Sequence, residues 1–253
     1  MNYKILIPLK KKSYRDHTQE ENLLFFFKKD KIYLMDNHRL SFWCFLDGIK
    51  NEDFGKYTYI HIDDHFDTGT VYCEELANKV KNNGLSFYNK LDQFRNDTIA
   101  IKNKDNLRTF LCGNYLMPAI FYNFFNNKKL FFFVKQETST YYKGGLNDNC
   151  FFNGNIPKIK HYQRKRVTDL EKILESENNI VLNIDFDYFS DFINKPQIIH
   201  QYFSVIKSKM RKIKFILVSL TTSSNNWKEQ EDILKIFSDI FDLKLEIPLK
   251  ISS

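Results

Sequence analysis

Glycine is scarce in this chain, 8 of 253 residues, and proline, cysteine and tryptophan number only 5, 4 and 2. Cys44, Cys73, Cys112 and Cys150 have no C-x-x-C spacing, which excludes a zinc knuckle or redox pair of that type. Apolar runs are short as well. Leu130–Val134 is five residues between lysines, far below the length of a membrane span. The opening Met-Asn-Tyr-Lys-Ile-Leu-Ile-Pro-Leu-Lys carries too short an apolar stretch for a signal peptide. No repeat or composition break divides the sequence, so one domain over 1–253 in a reducing cytoplasm is expected.

Aromatic residues fill the gap. There are 25 Phe and 14 Tyr, and rings make up 16% of the chain, so the core is expected to be packed with large rings. The 43% hydrophobic and 27% charged content is that of a soluble globular protein. A net charge of +7 fits an acidic partner, but the basic residues are interleaved with Asp and Glu. The densest patches, Lys10-Lys11-Lys12 and His161–Arg166, read as solvated faces or as a field that steers substrate. Neither membrane nor nucleic acid is expected as a partner, and an oligomer stays open.

Periodicity places strands at Lys4–Leu9, Leu23–Phe27, Lys31–Met35, Tyr57–Ile62, Leu130–Lys135, Asn179–Ile184 and Ile213–Ser219. Helices are expected over Arg39–Ile49, Val71–Lys81, Leu85–Phe94, most of Asn106–Asn126, Val167–Glu175, Pro196–Met210 and Trp227–Phe241. Between them, Glu137–Lys165 is a long aperiodic segment, expected as a lid or binding loop. This alternation predicts the α/β class, a three-layer α/β/α sandwich with a mainly parallel sheet.

Three strands end in metal-ligating residues. Tyr57–Ile62 runs into Asp63, His65 and Asp67, which share one side if the chain stays extended. Lys31–Met35 runs into Asp36-Asn37-His38, and Asn179–Ile184 into Asp185 and Asp187. Parallel strands present their C-terminal ends along one edge, so the three clusters are expected to meet. Carboxylates so placed repel one another unless a cation neutralises them. Six candidate ligands exceed a tetrahedral zinc site and suit a pair of Mn²⁺ ions, with Fe, Co or Zn open. Two such ions activate water for hydrolysis.

Asp63-x-His65-x-Asp67 together with Asp185-x-Asp187 resembles the metal-binding pattern of the ureohydrolase (arginase, agmatinase) superfamily. The segments Met-Asp-Asn-His, His-Ile-Asp-Asp-His-Phe-Asp and Asn-Ile-Asp-Phe-Asp-Tyr-Phe are similar to a divergent branch, the UPF0489 family. That branch includes peptide arginases, which convert arginine to ornithine within ribosomally made peptides. The resemblance implies an arginase/deacetylase-like fold and release of urea from an arginine-containing peptide. It implies that Asp63 and Asp185 bridge two ions, with His38 and Asp67 on one and His65 and Asp187 on the other. Attack on the guanidinium carbon would be oriented by Asp67. The sequence departs from the superfamily in reading Leu-Met-Asp-Asn-His for Gly-Gly-Asp-His and in lacking Asp-Pro after Asp187. It offers no match for the arginase histidine that shuttles protons or for the glutamate that holds the guanidinium. His61 is a candidate proton shuttle or a buried structural histidine, and Asn114 a substrate contact or a helix cap. Glu137, Tyr141 and Tyr142 are placed by the same reading near substrate. The alternatives are a one-zinc, deacetylase-like amide hydrolase, which carries Gly where Asp67 stands, and a non-catalytic basic binding protein.

Overall fold

The computed structural model describes residues 26–68, 73–100, 107–110, 113–134, 159–163, 167–220 and 227–245. A seven-stranded sheet forms its centre. Its strands are β1 (Phe26–Lys29), β2 (Ile32–Met35), β3 (Tyr57–Asp63), β6 (Phe125–Val134), β7 (Ile159–Gln163), β8 (Ile180–Asp185) and β9 (Ile213–Ser219). They lie in the order β1-β2-β9-β8-β3-β6-β7, and every neighbouring pair is parallel except the β1/β2 hairpin. The pair β4 (Thr98–Ile99) and β5 (Leu107–Arg108) forms a separate antiparallel ladder. Every residue of β3 and β8 is buried, as expected of central parallel strands covered on both faces.

The helices cover both faces. One face carries α1 (Ser41–Gly48), α2 (Cys73–Asn83), α3 (Leu85–Tyr88), α4 (Leu91–Asn96) and α5 (Leu116–Phe121). Their side chains Phe42, Phe45, Tyr88 and Leu116 pack with Tyr33, Tyr59, Val181 and Leu217 of the sheet. The opposite face carries α6 (Val167–Ser176), α7 (Pro196–Ser208) and α8 (Trp227–Phe241), which bury Leu170, Phe203 and Phe237 against Leu34, Ile60, Leu182 and Ile216. Ring against ring dominates the first cluster: Phe42 and Phe110 stack with centroids 4.5 Å apart and Tyr59 and Phe125 at 4.3 Å. Where α1 ends, a Cβ built on Gly48 would lie 2.5 Å from the Phe215 ring, so this close approach of helix to sheet requires glycine.

The sheet order creates the crevice that the site occupies. After β3 the chain moves to β6 on one side, and after β8 it moves to β9 on the other. Connections that leave in opposite directions open a cleft between the C-terminal ends of β3 and β8, the usual ligand position in open α/β sheets.

The described helices and strands agree with the sequence pattern except at two places: Ile159–Gln163, expected as the end of a loop, is the edge strand β7 paired parallel with β6, and Asn106–Asn126 is not a long helix. Here the long helix is replaced by β5, a turn, the six-residue α5 and the start of β6. Leu107–Arg108 pairs with Thr98–Ile99, and Pro118 sits in the first turn of α5, where a missing N–H costs no helical hydrogen bond. The expected helix over Leu85–Phe94 is two short ones, parted at Asn89 and Lys90. The strand at Lys4–Leu9, the loop Glu137–Lys165 up to its last strand residues, and the Lys10–Lys12 cluster lie outside the described residues. Among the described residues, no helix is long and apolar enough to cross a membrane.

Candidate metal centre

The six ligand candidates reach one place by different local devices. Asp63 and Asp185 are the last residues of the adjacent strands β3 and β8. Each ends its strand in the same way: Asp63 Oδ1 accepts the His65 N–H at 2.8 Å, and Asp185 Oδ1 accepts the Asp187 N–H at 3.0 Å. A side chain that bonds the backbone two residues on turns the chain out of its ladder. The two turns are joined where the Asp64 N–H donates to Asp187 Oδ1 at 3.2 Å. His38 arrives from the 3₁₀ turn His38–Leu40 after β2, capped by Asn37, whose side chain accepts the Arg39 N–H.

The extended geometry expected for Asp63, His65 and Asp67 is not the one observed. The strand ends at Asp63, and Asp67 adopts a left-handed φ of 50°. That conformation is uncommon for a non-glycine residue, and Asp is among those that tolerate it. It sends Asp67 towards His38 while His65 faces Asp187, so these two fall into different groups.

Around His38 Nδ1 lie Asp67 Oδ2 at 3.0 Å, Asp63 Oδ2 at 3.2 Å and Asp185 Oδ2 at 3.3 Å. Around His65 Nδ1 lie Asp187 Oδ2 at 3.3 Å and Asp63 Oδ1 at 3.4 Å. Ligand atoms of His38, Asp63 and Asp67 lie within 4.8 Å of one another, as do those of Asp63, His65 and Asp187. Asp63 therefore belongs to both groups, one oxygen to each. The first group is deeply buried, whereas the His65 side chain is 54% exposed and marks the mouth of the crevice.

The donor set fits divalent ions. Four carboxylates face two imidazoles, so even doubly protonated rings leave two negative charges unmatched (4 − 2 = 2). His38 Nε2 and Asp63 Oδ2 are buried without a hydrogen-bond partner; the 3.2 Å approach of Asp63 Oδ2 to His38 lacks hydrogen-bond geometry. Such orphaned atoms are costly unless something else satisfies them.

Electrostatics point the same way. Burial and the Asp63 charge push Asp67 up to about 7, and burial and Asp187 push Asp185 well above the carboxylate range. Burial, followed by the Asp63 charge, also raises Asp187. Asp63 goes the other way: burial opposes its charge, but the close His38 and His65 rings outweigh it and hold the group well below the usual range. His38 is raised because its carboxylate partners, Asp185 foremost, overcome the effect of burial. Hydrogen bonds to Asp187 and Asp63 push His65 up to about 11. Metal-free, the site holds protons where ions would sit.

Beneath the ligands runs a buried polar layer. His61, two residues before Asp63 on β3, donates from Nε2 to the His65 carbonyl at 2.9 Å, and its Nδ1 accepts from the Tyr59 hydroxyl at 3.2 Å. The ring is 0% exposed, and burial lowers it to about 4. Fully buried and with both nitrogens hydrogen-bonded, the His61 ring holds the His65 turn, as the buried structural reading expects. The Tyr115 hydroxyl hydrogen-bonds Asp67, and Asn183 Nδ2 donates to the hydroxyls of Tyr59 at 2.9 Å and Tyr115 at 2.6 Å. Tyr59, Tyr115 and Asn183 escaped the sequence reading. Asn183 alone left a trace there, a polar break in Ile-Val-Leu-Asn-Ile-Asp.

Asn114 is buried beside Tyr115, but the α5 cap position is Tyr115 itself and makes no side-chain cap, so the helix-cap reading fails. At 3% exposure Asn114 has little surface to offer a substrate. Glu137, Tyr141 and Tyr142 lie outside the described residues.

No family model matches the sequence, and no curated protein matches it; the finer likeness to UPF0489 rests on the quoted segments alone. Among solved structures, the chain is similar to proclavaminate amidino hydrolase from Streptomyces clavuligerus, at 8% identity and a TM-score of 0.48. The match covers 84% of this chain and 63% of that one, so the chain spans under two thirds of the neighbour's length.

Proposed function

We propose that this chain is a metal-dependent hydrolase of guanidinium groups, using two divalent ions, with Mn²⁺ as the preferred metal. One observation carries the reading: Asp63 presents one oxygen to the buried His38 group and the other to the His65 group at the crevice mouth, within a set of four carboxylates and two imidazoles. His38, Asp63, Asp67 and Asp185 would hold one ion and Asp63, His65 and Asp187 the other. When bound, such ions supply a water of lowered pKa and stabilise the negative charge that develops during hydrolysis.

The protein's own groups set the rest. A crevice lined by carboxylates attracts a planar cation, and a guanidinium matches carboxylate geometry in charge and shape. Asp67 accepts a hydrogen bond from Tyr115 and orients the attacking water. Water adds at the guanidinium carbon, the bond to the side-chain nitrogen breaks, and a proton passes to that nitrogen, giving ornithine and urea. We take peptidyl arginine as the substrate because the contacts of arginases to free arginine have no match in the sequence and a long segment, Glu137–Lys165, stands beside the site-bearing strands in sequence.

Incubation with Mn²⁺ and arginine-containing peptides should release urea and leave ornithine in the peptide, with free arginine a poorer substrate. Unchanged peptides in the presence of demonstrably bound metal would contradict the proposal. A one-ion amide hydrolase is favoured only by the contrast between the buried His38 group and the exposed His65. Bound metal near one equivalent would support that second reading.

A further inference from the structure

We propose that Asn183 is a positioning residue that holds the two tyrosine hydroxyls, and so aims their protons, in a hydrogen-bond chain joining the His65 backbone to Asp67. The inference deepens the metal-centre reading and rests on it. It starts from a group with no choice. The His65 carbonyl can only accept, so its partner His61 Nε2, at 2.9 Å, carries the hydrogen. In a neutral ring Nδ1 is then bare and must accept from the Tyr59 hydroxyl at 3.2 Å. Having given its proton to His61, the Tyr59 oxygen is left as an acceptor for Asn183, at 2.9 Å. The amide must therefore present Nδ2, not Oδ1, and the second hydrogen of that nitrogen points at the Tyr115 oxygen, 2.6 Å away.

Tyr115 can then donate only onward. The two tyrosine hydroxyls are within hydrogen-bond reach of one another, but Tyr59 already gives its proton to His61, and the Tyr115 hydroxyl is hydrogen-bonded to the Asp67 carboxylate, which takes its proton. One primary amide thus aims two hydroxyl protons, one at a ligand of the His38 group and one, through His61, at the turn that carries His65. No other uncharged side chain of this size gives two hydrogens from one atom. Asn183 Oδ1 is buried with no hydrogen-bond partner, so the position keeps an idle acceptor for the sake of its two donors.

Two measurements test this. In metal-free wild type, ¹⁵N–¹H spectra of the histidine rings should show His61 as the Nε2–H tautomer; an Nδ1–H or doubly protonated ring overturns the deduction. Second, Asn183→Leu, which keeps volume and removes both donors, should weaken Mn²⁺ binding by roughly 10–100-fold, the usual effect of losing outer partners of a metal site. In a Tyr59→Phe/Tyr115→Phe background the same substitution should change affinity by less than about twofold, because the groups it acts through are gone. An equal loss in both backgrounds assigns Asn183 to packing and overturns the proposal, as does no loss in wild type. Failure of wild type to bind Mn²⁺ would instead refute the metal centre, and the tautomer result would stand apart from it. If Asn183→Leu does not fold, Asn183→Ala, which also removes both donors, is compared in the same two backgrounds.

Discussion

Metal uptake should release protons, and its stabilising effect should grow with pH. In the metal-free protein His38 is buried and raised well above its ordinary range by Asp185, Asp63 and Asp67, so it is charged at neutral pH. Asp67, raised to about 7 by burial and the Asp63 charge, is protonated below neutrality. An ion in this group requires a bare imidazole nitrogen and an ionised carboxylate, so it displaces at least the His38 proton. One proton displaced per ion changes affinity tenfold per pH unit, about 1.4 kcal/mol. From pH 6 to pH 8 the stabilisation by saturating Mn²⁺ should therefore rise by about 2.7 kcal/mol. For a chain of this length that corresponds to roughly 5–11 °C more increase in Tm at pH 8 than at pH 6. His65 is left out of the count because half its side chain faces solvent, which screens its pairs.

The sign for the metal-free fold is opposite. A carboxylate whose folded pKa is raised stabilises the fold below its unfolded value, near 4, and that stability is lost as pH rises through about 7. Metal-free protein should thus weaken across neutral pH while Mn²⁺-loaded protein does not. Thermal unfolding with and without Mn²⁺ at the two pH values measures both, and titration in buffers of different ionisation heat counts the protons. A Tm increase as large at pH 6 as at pH 8, with no proton released, would refute the reasoning.

Three further outcomes are expected. His65→Ala should bind one equivalent of Mn²⁺ where wild type binds two, because His65 belongs only to the Asp63/Asp187 group; unchanged stoichiometry by metal analysis would contradict this. Gly48→Ala should destabilise by about 1–3 kcal/mol, since the added methyl meets the Phe215 ring and outweighs the ~1 kcal/mol that alanine otherwise gains in a helix. Chemical denaturation measures it, and a stabilised variant would show that the ring moves aside freely. Ile184→Ala, at a fully buried position next to the C-terminal end of β8, should cost about 2–5 kcal/mol, and a loss below 1 kcal/mol would mean that the core collapses around the gap.

The parallel sheet was legible because Tyr57–Asp63, Ile180–Asp185 and Ile213–Ser219 are apolar runs of strand length that end in polar turns. Trp227–Phe241 and Pro196–Ser208 were legible from their helical spacing and, in the second, from proline in the first turn. The strand-end acids were visible too, and parallel topology was enough to argue that distant segments share an edge. What could not be read locally was how they meet. Asp67 joins His38 through a left-handed backbone turn that alternation cannot foresee, and β5 exists only because Thr98–Ile99 is there to pair with it. Tyr59, Tyr115 and Asn183 come together from separate segments; the two tyrosines read as ordinary core residues, and the polar break at Asn183 does not reveal its partners.

The most direct test of the account is metal analysis of purified protein after equilibration with Mn²⁺ at pH 8, wild type beside Asp63→Ala. Because Asp63 gives one oxygen to each group, the account predicts two equivalents in wild type and a collapse of both in the variant. No bound metal in wild type, or a variant that keeps two equivalents, would contradict it.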